Sequence, residues 1–165
     1  MTERKFNHEE PIAYFLTWTT YGSWLPGDQR GWQSKDDVGV QPPSRRFEST
    51  AKGRMKEGPF LLTKKDRCAV ADTVKSHCQI RGWLLHAVNA RSNHVHVVVS
   101  ATCDPDTIVE QFKAWSSRKL KSDHSVRKRF WTEGSSKRWI NHEDDLDSAI
   151  EYVLEAQDRN GLAER

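Results

Sequence analysis

Asn93-His94-Val95-His96-Val97-Val98-Val99-Ser100 is the most β-prone run in the chain. Its period-two alternation puts His94, His96, Val98 and Ser100 on one face of an extended strand and Val95, Val97 and Val99 on the other. Two imidazoles at adjacent same-face positions of a rigid strand can converge on one cation, and imidazole is the commonest protein metal ligand. The same spacing also describes two sheet-surface histidines without chemistry. A second feature is needed to choose between them.

The flanking sequence assigns this strand its neighbours. Residues 83–89 form a second strand-like run, and Ala90, Arg91, Ser92 and Asn93 are a connection short enough for an antiparallel hairpin. Before it, Thr63 can cap a helix running to Gly82, with Cys68, Ala71, Val74, Cys78 and Ile80 as an approximate apolar stripe. Earlier still, Ala13 to Thr19 is rich in aromatic and β-branched residues and reads as a first strand ending near Gly22. From residue 26 to residue 59 Gly, Pro, Ser and charge dominate without periodicity, as in a long functional loop inserted into one domain spanning 1–165.

On the C-terminal side, Asp104 or Asp106 starts a second helix through Ile108, Phe112, Trp115 and Leu120. A final strand is expected between Phe130 and Ile140, and Asn141 is expected to cap a third helix with an acidic first turn. The order β, α, β, β, α, β, α predicts an α+β fold: a ferredoxin-like βαββαβ antiparallel sheet with an added C-terminal helix.

At 165 residues the chain is long enough for one core and short for two. A hydrophobic fraction of 36% and a charged fraction of 30% are those of a modest core, while seven Trp and six Phe exclude a disordered chain. Cys68, Cys78 and Cys103 are odd in number and lack C-x-x-C spacing, and residues 1–10 hold no apolar signal region. A cytoplasmic protein is expected, and no run is long and apolar enough to span a membrane.

The net charge is only +3, but the charges are segregated. Lys113, Arg118, Lys119, Lys121, Arg127, Lys128 and Arg129 crowd one segment, whereas residues 143–158 are acidic. With Arg45 and Arg46 of the long loop as a second cationic patch, and Trp115 able to stack on an unpaired base, these residues are candidate nucleic-acid contacts. Taken singly, each is more readily a solvated charge or a core aromatic, and it is as a cluster that they favour nucleic-acid contact. In the third helix Leu146, Ile150, Val153 and Leu154 share one side, and Tyr152 lies off it. An aromatic so placed is either half-exposed packing or a functional phenol.

Three pieces together resemble the HUH-type single-tyrosine transposases, the small insertion-sequence transposases and their REP-associated relatives. They are Asn93-His94-Val95-His96 with the following Val run, Tyr152-Val153 on a C-terminal helix, and Trp18-Thr19-Thr20-Tyr21-Gly22-Ser23-Trp24-Leu25-Pro26-Gly27-Asp28 with Arg30-Gly31-Trp32 beyond it. The resemblance implies a metal-dependent enzyme that nicks and joins single-stranded DNA with hairpin or repeat ends through a covalent 5′-phosphotyrosine. It gives Tyr152 the role of nucleophile and His94 and His96 that of ligands to Mg²⁺ or Mn²⁺.

The family usually carries Gln or Asn four residues after the Tyr, where this chain has Ala156. Family likeness makes Gln157 the third ligand. On an unbroken α-helix, however, Gln157 would point about 140° from Tyr152 and Glu155 about 60°. Gln157, Glu155 and water therefore remain alternatives. A homodimer with the Tyr helix serving its partner, or a monomer, is equally compatible. Two other readings are a catalytically silent DNA-hairpin binder and an unrelated metal hydrolase or oxygenase drawing on His86, His124 or His142.

Overall fold

A computed structural model describes residues 11–33 and 39–156. Strands β1 (Ala13–Thr19), β4 (Leu84–Ala90), β5 (His94–Ser100) and β6 (Ser136–Ile140) form one sheet in the order β4-β5-β1-β6. Every pair in it is antiparallel. Strand β5, the most apolar, is thus central, with both edges of its backbone hydrogen-bonded. The fold is the expected α+β, ferredoxin-like arrangement.

The two faces of β5 bury against different helices. Val95, Val97 and Val99 join Tyr14, Leu16 and Trp18 of β1 beneath helices α2 (Lys64–Arg81) and α3 (Pro105–Lys121), which contribute Val70, Val74, Ile108, Phe112 and Leu120. On the opposite face Val98, Ala13, Phe15 and Ile140 pack against Leu146 of α4 (Glu143–Glu151) and against Val153. Each buried aliphatic side chain contributes about 1.5–3 kcal/mol on leaving water, so both faces of the sheet are covered for energetic reasons. The histidines lie on the thinner side, under a single short helix.

Helix α2 starts where expected: Thr63 and Asp66 make a reciprocal capping box, and Gly82 ends the helix at φ 71°. Its inward stripe is Val70, Val74, His77 and Cys78. Cys68 and Ile80, expected within the stripe, are exposed, Ile80 at 80%. Asp104 caps α3 by accepting from Asp106 N. Asn141 does not cap α4. His142 occupies that position without a side-chain cap bond, and Glu143, Asp144 and Asp145 face the positive helix end instead.

The stretch 26–59 is more ordered than its composition suggests. It carries the short pair β2 (Trp32–Gln33) and β3 (Val40–Gln41) and helix α1 (Arg45–Arg54). Arg30 pairs with Asp28 and lies 3.9 Å from the Trp24 ring centre, while Trp24 Nε1 donates to Gly31 O at 2.7 Å. Gly27, at φ 89°, accepts from Ser44 N, and a Cβ there would come within 2.2 Å of Ser44 O and 2.3 Å of Glu48 N. Only glycine lets this turn seat the start of α1 so closely. Non-local contacts of this kind leave no hydrophobic period in the sequence.

The chain after α4 does not continue as an α-helix. Tyr152–Ala156 is a π turn, in which hydrogen bonds run from i to i+5. Asn89 Nδ2, on β4, donates to Val153 O at 2.8 Å and ties the turn to the sheet. Val153 is fully buried, whereas Leu154, expected beside it in the apolar stripe, is 49% exposed. Among the described residues no helix is long and apolar enough to cross a membrane.

Candidate functional site

The register of the sheet assembles a polar grid on the α4 side. Directly opposed residues of an antiparallel pair share a face. His96 is opposed by Thr17 on β1 and Asn89 on β4, and His94 by Thr19. Arg91 N donates to His94 O at 2.8 Å, which continues the ladder one step and sets Arg91 across from His94.

The two imidazole centres are 4.7 Å apart, with ring planes at 72°. Asn93 Oδ1 accepts from His94 Nδ1 at 2.6 Å, so the lone pair of that neutral ring is on Nε2. Thr17 Oγ1 lies 2.7 Å from His96 Nδ1. When the hydroxyl accepts, His96 Nε2 likewise carries a lone pair. Burial first, then the neighbouring His94 and Arg91, push the His96 imidazole down to about 3. At neutral pH it is uncharged, the form that binds metals.

Tyr152 reaches the same place. Its ring centre is 5.8 Å from that of His96 and 6.0 Å from that of Phe15, and Phe15 in turn is 5.5 Å from His96. The phenol is 40% exposed. One edge of its ring is thus seated on the sheet while the side chain stays open to solvent.

Among the described residues no cluster of three or more His, Cys, Asp or Glu side chains is positioned to hold a metal. The donors that the described residues bring together are the imidazoles of His94 and His96. Such a pair suits a divalent cation whose remaining ligands are oxygens from substrate or water. Gln157 lies outside the described residues, and Glu155 is exposed on the π turn. Two of the other candidate histidines bond within the fold: His86 Nε2 contacts Ser100 Oγ at 2.7 Å, and His124 Nε2 contacts both oxygens of the buried Asp66 carboxylate at 3.0 and 3.1 Å.

The basic residues fall elsewhere. Helix α3 lies over the face of the sheet opposite the histidines, so exposed Arg118, Lys119 and Lys121 belong to that other layer. Lys113 donates to Thr132 O and Gly134 O and stitches α3 to the chain before β6. Burial holds its ammonium below the usual lysine range. Arg127 and Arg129 face Glu57, Arg127 also donating to Gly58 O. Lys128 is exposed, as are Arg45 and Arg46 on the first turn of α1. Trp115 is 47% exposed beneath Arg118. Thr17, Asn89, Arg91 and Arg138 escaped notice in the sequence because only strand register brings them to the site.

One face of the ferredoxin-like sheet therefore carries an imidazole pair and a phenol. Residues 54–155 match the family model described as "Transposase IS200 like", and the chain belongs to that family. No curated protein matches. Among solved structures, the chain resembles a REP-associated tyrosine transposase bound to a REP hairpin, with TM-score 0.51 and 11% identity over 98% of this chain and 75% of that one. A candidate transposase from Deinococcus radiodurans R1 aligns with TM-score 0.46 and 12% identity over 99% of both chains. At such identity the first likeness bears on the fold alone.

Proposed function

We propose that the protein cleaves and rejoins single-stranded DNA with hairpin or repeat ends, with Tyr152 as nucleophile. The observation that carries this reading is the approach of Tyr152 to His96 within one chain, 5.8 Å between ring centres. The phenol is half-exposed beside the buried His96, where a phosphate arriving from solvent can meet it.

His94 and His96 would hold Mg²⁺ or Mn²⁺. The cation would supply charge neutralisation at the scissile phosphate and polarise its oxygen. By family likeness Gln157 is the third ligand we propose, with Glu155 and water as the alternatives.

Tyr152 Oη attacks phosphorus as the bond to the 3′-oxygen breaks. The phenol gives up its proton and the 3′-oxygen leaves as a hydroxyl. The 5′-phosphate remains esterified to Tyr152, and a 3′-hydroxyl can later reverse the step without an external energy source. Asn93 and Thr17 hold the imidazoles in place, and Phe15 supports the phenol ring.

The test is incubation of the protein with Mg²⁺ or Mn²⁺ and end-labelled single strands carrying imperfect hairpins, scored for a covalent species on denaturing gels. Wild type should form the adduct. Tyr152→Phe should bind the same DNA and form none, and EDTA should abolish the reaction. Binding without any adduct would instead identify a silent hairpin binder.

A further inference from the structure

We propose that the single strand crosses the sheet face itself, its phosphates on either side of the scissile link held by Arg91 and Arg138. This rests on the reading of the site as one that cleaves DNA.

Register puts both guanidinium groups on the face that carries the site. Arg91 stands opposite His94 at the β4 side, and Arg138 opposes Phe15 on β6. Lys137, the residue before it, goes to the other face, where it pairs with Asp106 of α3. The Arg138 guanidinium carbon is 5.9 Å from the centre of the Phe15 ring, the ring that also supports Tyr152 and His96. The two arginines therefore bracket the histidines and the phenol across the sheet. Three strand spacings of about 4.8 Å, with Arg91 level with His94 and Arg138 level with Val98 four residues along β5, make this roughly 20 Å, a span of a few nucleotides.

Their settings differ in a useful way. Arg138 is exposed and can meet a phosphate arriving from solvent, whereas Arg91 is only 9% exposed. A guanidinium on the face that carries His94 and His96 raises the local positive potential where a phosphate must lose its water. Its five N–H donors allow it to serve a phosphate together with other acceptors. The basic cluster of α3 cannot fill this role, since the sheet stands between it and Tyr152.

The test measures binding of a hairpin-flanked single strand to the Tyr152→Phe protein, replacing one phosphate at a time with a neutral methylphosphonate. On unmodified DNA, Arg91→Gln and Arg138→Gln should each weaken binding about tenfold. Each should also reduce the slope of log affinity against log salt by about 0.7, the signature of one lost phosphate contact, and Arg→Lys at either position should restore that slope. Each Gln variant should become insensitive to one methylphosphonate, the two positions lying on opposite sides of the cleavage site. Variants that lose affinity yet keep sensitivity at every position, or that alter neither affinity nor slope, overturn the track. Absence of an adduct from wild type, with the interference map intact, would refute cleavage and leave the track standing.

Discussion

Thr17 Oγ1 lies 2.7 Å from Nδ1 of His96, across the β1–β5 pair, and so one hydroxyl decides which nitrogen of a buried imidazole faces the site. Partners of this kind raise the basicity of a ligating ring and lock its orientation.

Thr17→Val keeps the β-branched shape of the strand and removes only that partner. Manganese titration by calorimetry should give an affinity about 10- to 100-fold weaker, with the melting temperature little changed. Equal affinity in the two proteins would mean that Thr17 merely fills space beside the ring.

Asn89 anchors the π turn through Val153 O, and the turn carries Tyr152. Asn89→Ala should destabilise the fold by about 1 kcal/mol, accelerate amide exchange across residues 152–156, and slow adduct formation about tenfold. Unaltered exchange there would show that burial of Val153 alone holds the turn.

Asp66 is a buried carboxylate that closes the capping box of α2 and faces His124. Burial raises its pKa, but bonds from His124 and Thr63 outweigh this and leave it below the ordinary 3.8. A carboxylate with a depressed folded-state pKa stabilises fully above its unfolded value, and that contribution disappears as pH falls below 3.8 through the folded value. Asp66→Asn should therefore cost about 1–2 kcal/mol in urea unfolding at pH 7, and the gap from wild type should narrow below pH 3.8. A gap independent of pH would assign the loss to hydrogen-bond geometry and not to charge.

Much of the fold was legible because its signals are local. The alternation of β5, the Thr63 cap, Gly82 and the acidic first turn of α4 act within a few residues, and each appears where expected or one residue away. Expectation failed where tertiary contacts override local pattern. Helix α1 contains no buried residue and is seated by the approach of Gly27 to its first turn. Position 141 lost the cap because the chain turned into α4 one residue later.

The residues themselves determined that His94 and His96 share a face and that Tyr152 stands off the apolar stripe, since period and side-chain type suffice for both. Tertiary structure alone decided what surrounds them. Strand order brought Thr17 and Arg138 to that face and sent the α3 cations to the other layer. A π turn replaced the unbroken α-helix from Tyr152 to Ala156. Pairing across a sheet joins residues far apart in the chain, so no window of sequence contains the partners that complete the site.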